Sequence, residues 1–291
     1  MNDYILNKIK SEYNNYDEFK IYLEKKFISS FRINRLKTNI NEVNNYLYKN
    51  NINFFNANFF SDCFIIDSMD EELIKKSFLY DEGKIYFQSV SSMLPVLFHD
   101  FKIGENVLDM CASPGGKCLL IQSLMNNKVN LTATELHFDR YNKLIHNINK
   151  NNANIFVKNI NSLDLDDMLK FDFILLDAPC SGTGTINILN NIDEEYLNRI
   201  ISKQKKLIMK AYKLLKNNGV MIYSTCSILR EENEFEEEYA INTAHFKKCN
   251  IKIEGELSNL LKYDNIVFDE NKIKILPNKF FEGFFISKFI K

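Results

Sequence analysis

The chain of 291 residues has no tryptophan, only 9 glycines and only 4 prolines. So little Gly and Pro excludes collagen-like and low-complexity disordered architectures, which need far more of both. The six cysteines, at 63, 111, 118, 180, 226 and 249, contain no C-x-x-C pair, and the 4 histidines are scattered. Neither a disulfide framework nor a metal site is therefore expected. No apolar run approaches the ~18 residues of a membrane span, and the opening MNDYILNKIKSEYNN lacks the apolar stretch of a secretory signal. A soluble monomer of the reduced cytoplasm, without membrane or metal, is the expectation. Charge of neither sign is in excess, since 37 Lys and Arg face 38 Asp and Glu. A polyanionic partner must meet a local patch rather than the field of the whole molecule.

What is present is a chain that is 45% hydrophobic, long enough for one large domain or two modest ones at about 100 to 200 residues each. From residue 105 short apolar runs alternate with helical patterns, the signature of an α/β fold. Strands are expected at 107–110, 130–135, 155–157, 171–177, 220–225 and 284–289. A helix is expected over 199–216, where Leu207, Ile208, Ala211, Leu214 and Leu215 recur at helical spacing and Gly219 closes the segment. The sheet should be mostly parallel, with ligand at the strands' carboxyl ends. The earlier residues read as a polar helix to about residue 27 and then a βαββαβ order: a strand at FRIN, a helix at 41–50, strands near 54 and at 63–67, a helix at 71–77 and a strand at 85–87. That order is the ferredoxin-like plan of many RNA-binding modules. Two domains follow, 1–87 and 88–291.

The densest motif is VLDMCASPGGKC at 107–118, an apolar strand followed by a small-residue loop that opens a helix. It fails the P-loop pattern, because Cys111 and Cys118 occupy the Gly and Ser/Thr positions, and its adjacent Gly115 and Gly116 fail G-x-G-x-x-G. An adenosyl-type site survives, with Glu135 at the end of the second strand to take the ribose hydroxyls. DAPCSGTG at 177–184 and YSTCS at 223–227 each end a strand and present a cysteine, so Cys180 and Cys226 should meet in one crevice. A cysteine on its own is more often a small buried hydrophobe, but two at the ends of consecutive strands beside such a loop reverse that reading.

CASPGGK, DAPCSGTG and YSTCS followed by EEN, together with FRIN, QSVSSMLPV, TELHFDR and EGFFISKF, resemble the Nol/Nop/Sun (RsmB/RsmF-like) family of RNA (cytosine-5) methyltransferases over residues 30–291. The resemblance implies a Rossmann-like class I methyltransferase domain with a mostly parallel seven-stranded sheet, behind a smaller ferredoxin-like RNA-binding domain. It implies S-adenosylmethionine as cofactor, Cys226 as nucleophile and Cys180 as the group assisting release. It implies a methyl-donor and base pocket made by Cys111, Ala112, Ser113, Pro114, Gly115, Gly116 and Lys117 with Glu135, Arg140 and Asp177. Asn161 stands where the family usually has Asp, and its carbonyl can still accept the adenine amino group. After GTG the family usually carries Arg residues and a Pro, whereas this chain runs TINILNNIDEE at 185–195.

The chemistry needs these groups. Carbon 5 of cytosine is too electron-poor to attack a methyl sulfonium until a nucleophile adds to carbon 6, and a thiolate can do so. At an ordinary pKa near 8.5 a thiol is only ~3% ionised at pH 7, and Lys117 is the candidate cation to raise that fraction. Asp177 is expected to hydrogen-bond the cytosine. RNA phosphate contacts are expected from Arg32, Arg35 and Lys37 beside Phe31, while the basic run 199–216 and the acidic run 231–238 read as solvated helix faces. With no further segment after the last strand, selection between rRNA and tRNA should rest on the N-terminal module and the crevice rim. Competing readings are a DNA cytosine-5 methyltransferase using Cys180 as nucleophile and a non-catalytic RNA-binding assembly factor.

Overall fold

A computed structural model describes residues 3–185 and 192–291. Most of the TINILNNIDEE segment, 186–191, lies outside the described residues. Helices α1 (Asp3–Glu12) and α2 (Tyr16–Glu24) precede a first sheet made by β1 (Ile28–Ile33), α3 (Ile40–Lys49), β2 (Phe54–Ala57), β3 (Phe60–Asp67), the short helices α4 (Glu71–Lys75) and α5 (Phe78–Asp81), and β4 (Ile85–Phe87). Its strands pair antiparallel in the order β2-β3-β1-β4. The Asn39 side chain starts α3 by accepting the N–H groups of Asn41 and Glu42. Val43 and Leu47, one turn apart, then face Phe31, Phe64 and Ile66 of the sheet.

The segment that reads as one polar helix is two, broken at residues 13–15. Its sparse apolar positions Ile5, Ile9, Tyr16, Phe19 and Leu23 bury against Ile192, Leu197, Ile228 and Leu229. The start of the chain thus seats on residues far along it, not on the first sheet. Phe59, Phe60, Cys63 and Ile65 likewise share a core with Val107, Ile275 and Phe281, so the two sheets are packed together rather than strung apart.

The second sheet follows α6 (Val90–Leu97). It contains β5 (Asn106–Asp109), α7 (Gly116–Met125), β6 (Asn130–Thr134), α8 (Phe138–Asn151), β7 (Ile155–Lys158), β8 (Phe171–Asp177), α9 (Glu194–Leu214), β9 (Leu215–Thr225), α10 (Glu234–Asn242), β10 (Lys247–Lys248), β11 (Ile266–Asp269), β12 (Lys272–Ile275) and β13 (Phe284–Ile290). The order is β11-β12-β13-β9-β8-β5-β6-β7, with β10 beside β13. Strands β9, β8, β5, β6 and β7 run parallel, while β13, β12, β11 and β10 pair antiparallel. The expectation of a mostly parallel seven-stranded sheet is therefore corrected to a mixed sheet of nine strands among the described residues. The strands not named from sequence are the two-residue β10 and a hairpin, IVFD paired with KIKI, all laid on the β13 edge. At four residues each, and with lysines at alternate positions in the second, the hairpin strands give too weak a pattern to be read from sequence, and they cover an edge that would otherwise offer unpaired backbone groups.

The sheet positions the site. Strand β8 reads as a continuous apolar run because Phe173, Ile174, Leu175 and Leu176 are all buried, as expected of a central strand covered on both faces. Strand order reverses at β5, which lies between β6 and β8, and a crevice opens at the carboxyl ends of such strands. Helix α9, capped by Asp193 accepting the Tyr196 N–H, lays Leu207, Ile208, Ala211 and Leu214 onto the sheet and turns Leu197 toward α1 and α2.

Candidate active site

Asp109 and Asp177 end the adjacent strands β5 and β8. The CASPGGK loop leaves β5 and enters α7 through Gly115, whose φ of +112° only glycine adopts readily. The resulting crevice holds about 360 Å³, within the ~300 to 1,000 Å³ of small-molecule sites. Cys111, Ser113, Glu135, Arg140, Asn161, Asp177, Cys180 and Cys226 line it. An adjoining arm shares Cys111, Ser113 and Asp177 and adds Ala112, Pro114, Gly116, Lys117, Asp109, Gln88 and Ser92.

The two cysteines meet as expected. Cys180 Sγ and Cys226 Sγ are 3.3 Å apart. The hydrogen bond to Cys226 and burial together push the Cys180 thiol well above its ordinary pKa. Cys63, Cys111 and Cys118 are also pushed up, by burial, and are not activated thiols. The GTG segment after Cys180 reaches the β9 end directly, with Gly184 N–H donating to Cys226 O at 2.9 Å and Gly283 N–H to Gly184 O at 2.8 Å. A Cβ on Gly184 would stand 2.3 Å from Gly283 O, so no larger residue fits that crossing.

Asp177 is held from both sides, its Oδ2 accepting Lys117 Nζ at 2.6 Å and its Oδ1 accepting Ser224 Oγ at 2.7 Å. Lys117 Nζ also donates to Ser92 Oγ at 2.8 Å, and Gln88 Nε2 to Ser92 O at 3.0 Å. The hydrogen-bond partners of the Lys117 ammonium are thus Asp177 and Ser92, so the carboxylate it fixes is that of Asp177. Asp109, 1% exposed, is pushed up to about 7 by burial first and by the Asp177 charge second.

Glu135 Oε1 accepts His137 N–H at 2.9 Å, and its Oε2 lies 3.3 Å from Arg140 Nε. Arg140 Nη2 donates to Ser113 O at 2.9 Å, so it ties the loop to the Glu135 strand. Asn161 Oδ1 accepts Leu163 N–H at 3.1 Å, capping a short turn, and keeps one lone pair for a ligand.

The expected RNA contacts fare differently. Arg32 is fully buried. Its Nε donates to Gln88 Oε1 and its Nη2 to Gly116 O, both at 2.9 Å, with Tyr86 stacked on the guanidinium. Arg32 is an internal latch between the first sheet and the CASPGGK loop, not a phosphate contact; burial lowers its pKa to about 10. Arg35 is paired with Asp62 at 2.5 Å, and Lys37 Nζ donates to Glu82 O and Lys150 O, both at 2.7 Å, although both side chains remain exposed.

Several working residues were not singled out by sequence. Asp109, Gln88, Ser92 and Ser224 lie inside quoted motifs, where an acidic or hydroxyl residue at a strand end or helix start was the available signal. Lys203, read as part of a wet helix face, lines the crevice with Cys180. Glu232, Glu236 and Glu237 of the acidic run are buried rather than solvated. Among the described residues no group of three or more His, Cys, Asp or Glu could hold a metal ion, and no helix is long and apolar enough to cross a membrane.

A doubly wound sheet with this crevice at its reversal point, and a cysteine at the end of each of two adjacent strands, defines a Rossmann-like methyltransferase fold. Residues 97–290 match the family model described as 16S rRNA methyltransferase RsmB/F, and the chain belongs to that family. Over 289 residues it is 30% identical to the ribosomal RNA small subunit methyltransferase F of Vibrio vulnificus, covering 95% of this chain and 60% of that protein. A mouse 28S rRNA (cytosine-C(5))-methyltransferase is 35% identical over 184 residues, 60% of this chain and 23% of its own length. The solved structure of a methyltransferase homologue from Pyrococcus horikoshii superposes with a TM-score of 0.79 at 27% identity, over 95% of this chain and 90% of that one.

Proposed function

We propose that this protein is an S-adenosylmethionine-dependent RNA (cytosine-5) methyltransferase of the cytoplasm that acts as a monomer on ribosomal RNA or tRNA, with Cys226 as the nucleophile. The observation that carries the reading is the pair of sulfur atoms 3.3 Å apart beside Asp177. S-adenosylmethionine, when bound, supplies an electrophilic methyl group on a sulfonium sulfur. The donor set suits it: a buried carboxylate, Glu135, for the ribose hydroxyls, the Asn161 carbonyl for the adenine amino group, and the loop 111–117 for the remainder. Cys226 adds to cytosine carbon 6, moving electron density to carbon 5, and Cys180 assists the elimination that later frees Cys226. The contact between the two sulfur atoms, 3.3 Å apart, puts both groups within reach of one base. Asp177 accepts the exocyclic amine of the base, a role supported by its hold between Lys117 and Ser224. The target must be splayed out of any stack to enter, and the first sheet of residues 28–87, with Arg35 and Lys37 exposed on it, is the RNA-holding element.

Incubation with RNA containing 5-fluorocytidine tests this. The expected result is a covalent protein–RNA adduct that Cys226→Ala abolishes and Cys180→Ala retains. An adduct on DNA that depends on Cys180 would favour the DNA enzyme, and absence of both methyl-donor binding and methylation of bulk rRNA and tRNA would favour an assembly factor.

A further inference from the structure

A second cleft, of about 220 Å³, lies where the end of α2, the first sheet and the segment before β13 come together. Tyr22, Phe27, Phe87 and Phe280 supply aromatic wall; Lys25, Lys26 and Lys279 supply charge. Phe87, Gln88 and Ser89 line both this cleft and the arm of the crevice that holds Lys117 and Asp177. The two spaces therefore adjoin.

Rings and ammonium groups interleave here. Lys25 Nζ lies 5.3 Å from the Phe27 ring centre and Lys279 Nζ 5.8 Å from that of Phe280. Lys26 is neutralised by Glu71 at 2.6 Å, and Glu71 also takes Lys75. Lys25 and Lys279 are exposed, and among the described residues neither has a carboxylate within ion-pair range. Glu282, the other acid of the wall, is half-buried, and its backbone carbonyl accepts Ser91 Oγ at 2.7 Å; with Glu71 paired to two lysines, Lys25, Lys26, Lys75 and Lys279 outnumber the two acids here.

We infer that this cleft is a second nucleotide subsite, which stacks the base of a nucleotide flanking the target on single-stranded RNA and meets the neighbouring phosphates with Lys25 and Lys279. The inference rests on the RNA reading above. A cytosine drawn into the crevice leaves its neighbour without a stacking partner, and an aromatic surface next door replaces that contact whatever the base, because every base presents a π-face. Free lysines flanking the rings add the sequence-independent attraction for phosphate. Neither Lys25, Lys279 nor Phe280 belongs to the methyl-transfer machinery.

The test measures binding of the full-length chain to a fluorescein-labelled, cytidine-containing single-stranded RNA across a salt series, beside its methyl-donor affinity and its methylation of bulk rRNA. The Lys25→Ala, Lys279→Ala double variant is expected to flatten the slope of log Kd against log salt by about 1.4, at about 0.7 per phosphate contact on single strands. Phe280→Ala is expected to weaken single-strand binding about tenfold without changing that slope, and to leave binding of the same sequence as a duplex unchanged. Unaltered methyl-donor affinity shows the variants folded. If the wild-type protein methylates RNA and both variants match it in Kd and slope, the subsite is overturned and the activity stands; if the wild type neither binds nor methylates RNA, both fall.

Discussion

Glu232 Oε1 accepts the backbone N–H of Ser181 at 2.8 Å and also Gln204 Nε2 at 3.2 Å, while its Oε2 takes Ser181 Oγ. The residue after Cys180 is thereby tied to the turn that follows Cys226. A carboxylate with no exposed surface sits there because its neighbours satisfy it, and burial raises its pKa against those hydrogen bonds. The cysteine pairing depends on this clamp as well as on the strands.

Glu232→Leu should strip the Ser181 N–H and Gln204 of their partner, costing about 2 to 3 kcal/mol of stability. It should also lower the rate of methylation while leaving methyl-donor affinity near wild type. Glu232→Gln, which keeps one acceptor, should recover most of both. Denaturant titration and single-turnover assays check this; equal losses in the two variants would assign the role to charge rather than to the clamp.

Lys117→Met removes the cation on Asp177 and keeps the volume. The expected loss of stability is about 2 kcal/mol, below the ~3 to 5 of a fully buried broken pair, because the Asp177 side chain is 30% exposed. The methylation rate should fall at least about 100-fold, since misplacing a base-holding group by an ångström has that scale of effect. A rate within a few-fold of wild type would remove Lys117 and Asp177 from the working site.

Arg32→Met should cost about 2 to 3 kcal/mol, because the Gly116 carbonyl and Gln88 lose their donor inside the protein. Its RNA affinity should keep the wild-type salt dependence. A slope reduced by about 0.7 would instead restore the phosphate contact that the sequence suggested.

Glu236 sets a pH dependence. It is fully buried, neither carboxylate oxygen has a hydrogen-bond partner, and Lys205 Nζ lies 4.0 Å away. Burial pushes its carboxyl from 4.5 up to about 8, Lys205 pulling it back and Glu232 adding to the rise. The unfolded chain releases this proton from about pH 4.5, whereas the folded protein keeps it to about pH 8. Its contribution to stability is therefore lost as pH rises through that window, by up to about 1.4 kcal/mol per pH unit, and is level above it. Glu236→Gln should abolish that decline, gaining most at pH 8 and above and little near pH 4, by thermal melts across pH.

Central parts of the fold and site were legible because their signals are local. β8 reads directly as FDFILLD, with Cys180 in the short turn that follows it, and Cys226 comes directly after the end of β9. The hairpin β11–β12 was not legible, since strands of four residues carry no weight until an edge exists for them to pair with. Nor was the burial of Arg32, Glu232 and Glu236, because charged residues are read as wet by default and only partners distant in the chain can make them otherwise. Gln88 is 56 residues from Arg32, and Glu232 is 51 from Ser181.

By itself, then, the order of residues decided the α/β alternation, the small-residue turn after β5 and the delivery of Cys180 and Cys226 to one end of one sheet, because strand period and turn chemistry act over a few neighbours. Only the tertiary structure decided what each charge does. Pairing energies depend on distance and on exclusion of water, and both arise when remote segments pack: Lys117 against Asp177, Arg32 against Gly116, and Glu232 under the loop that carries a thiol.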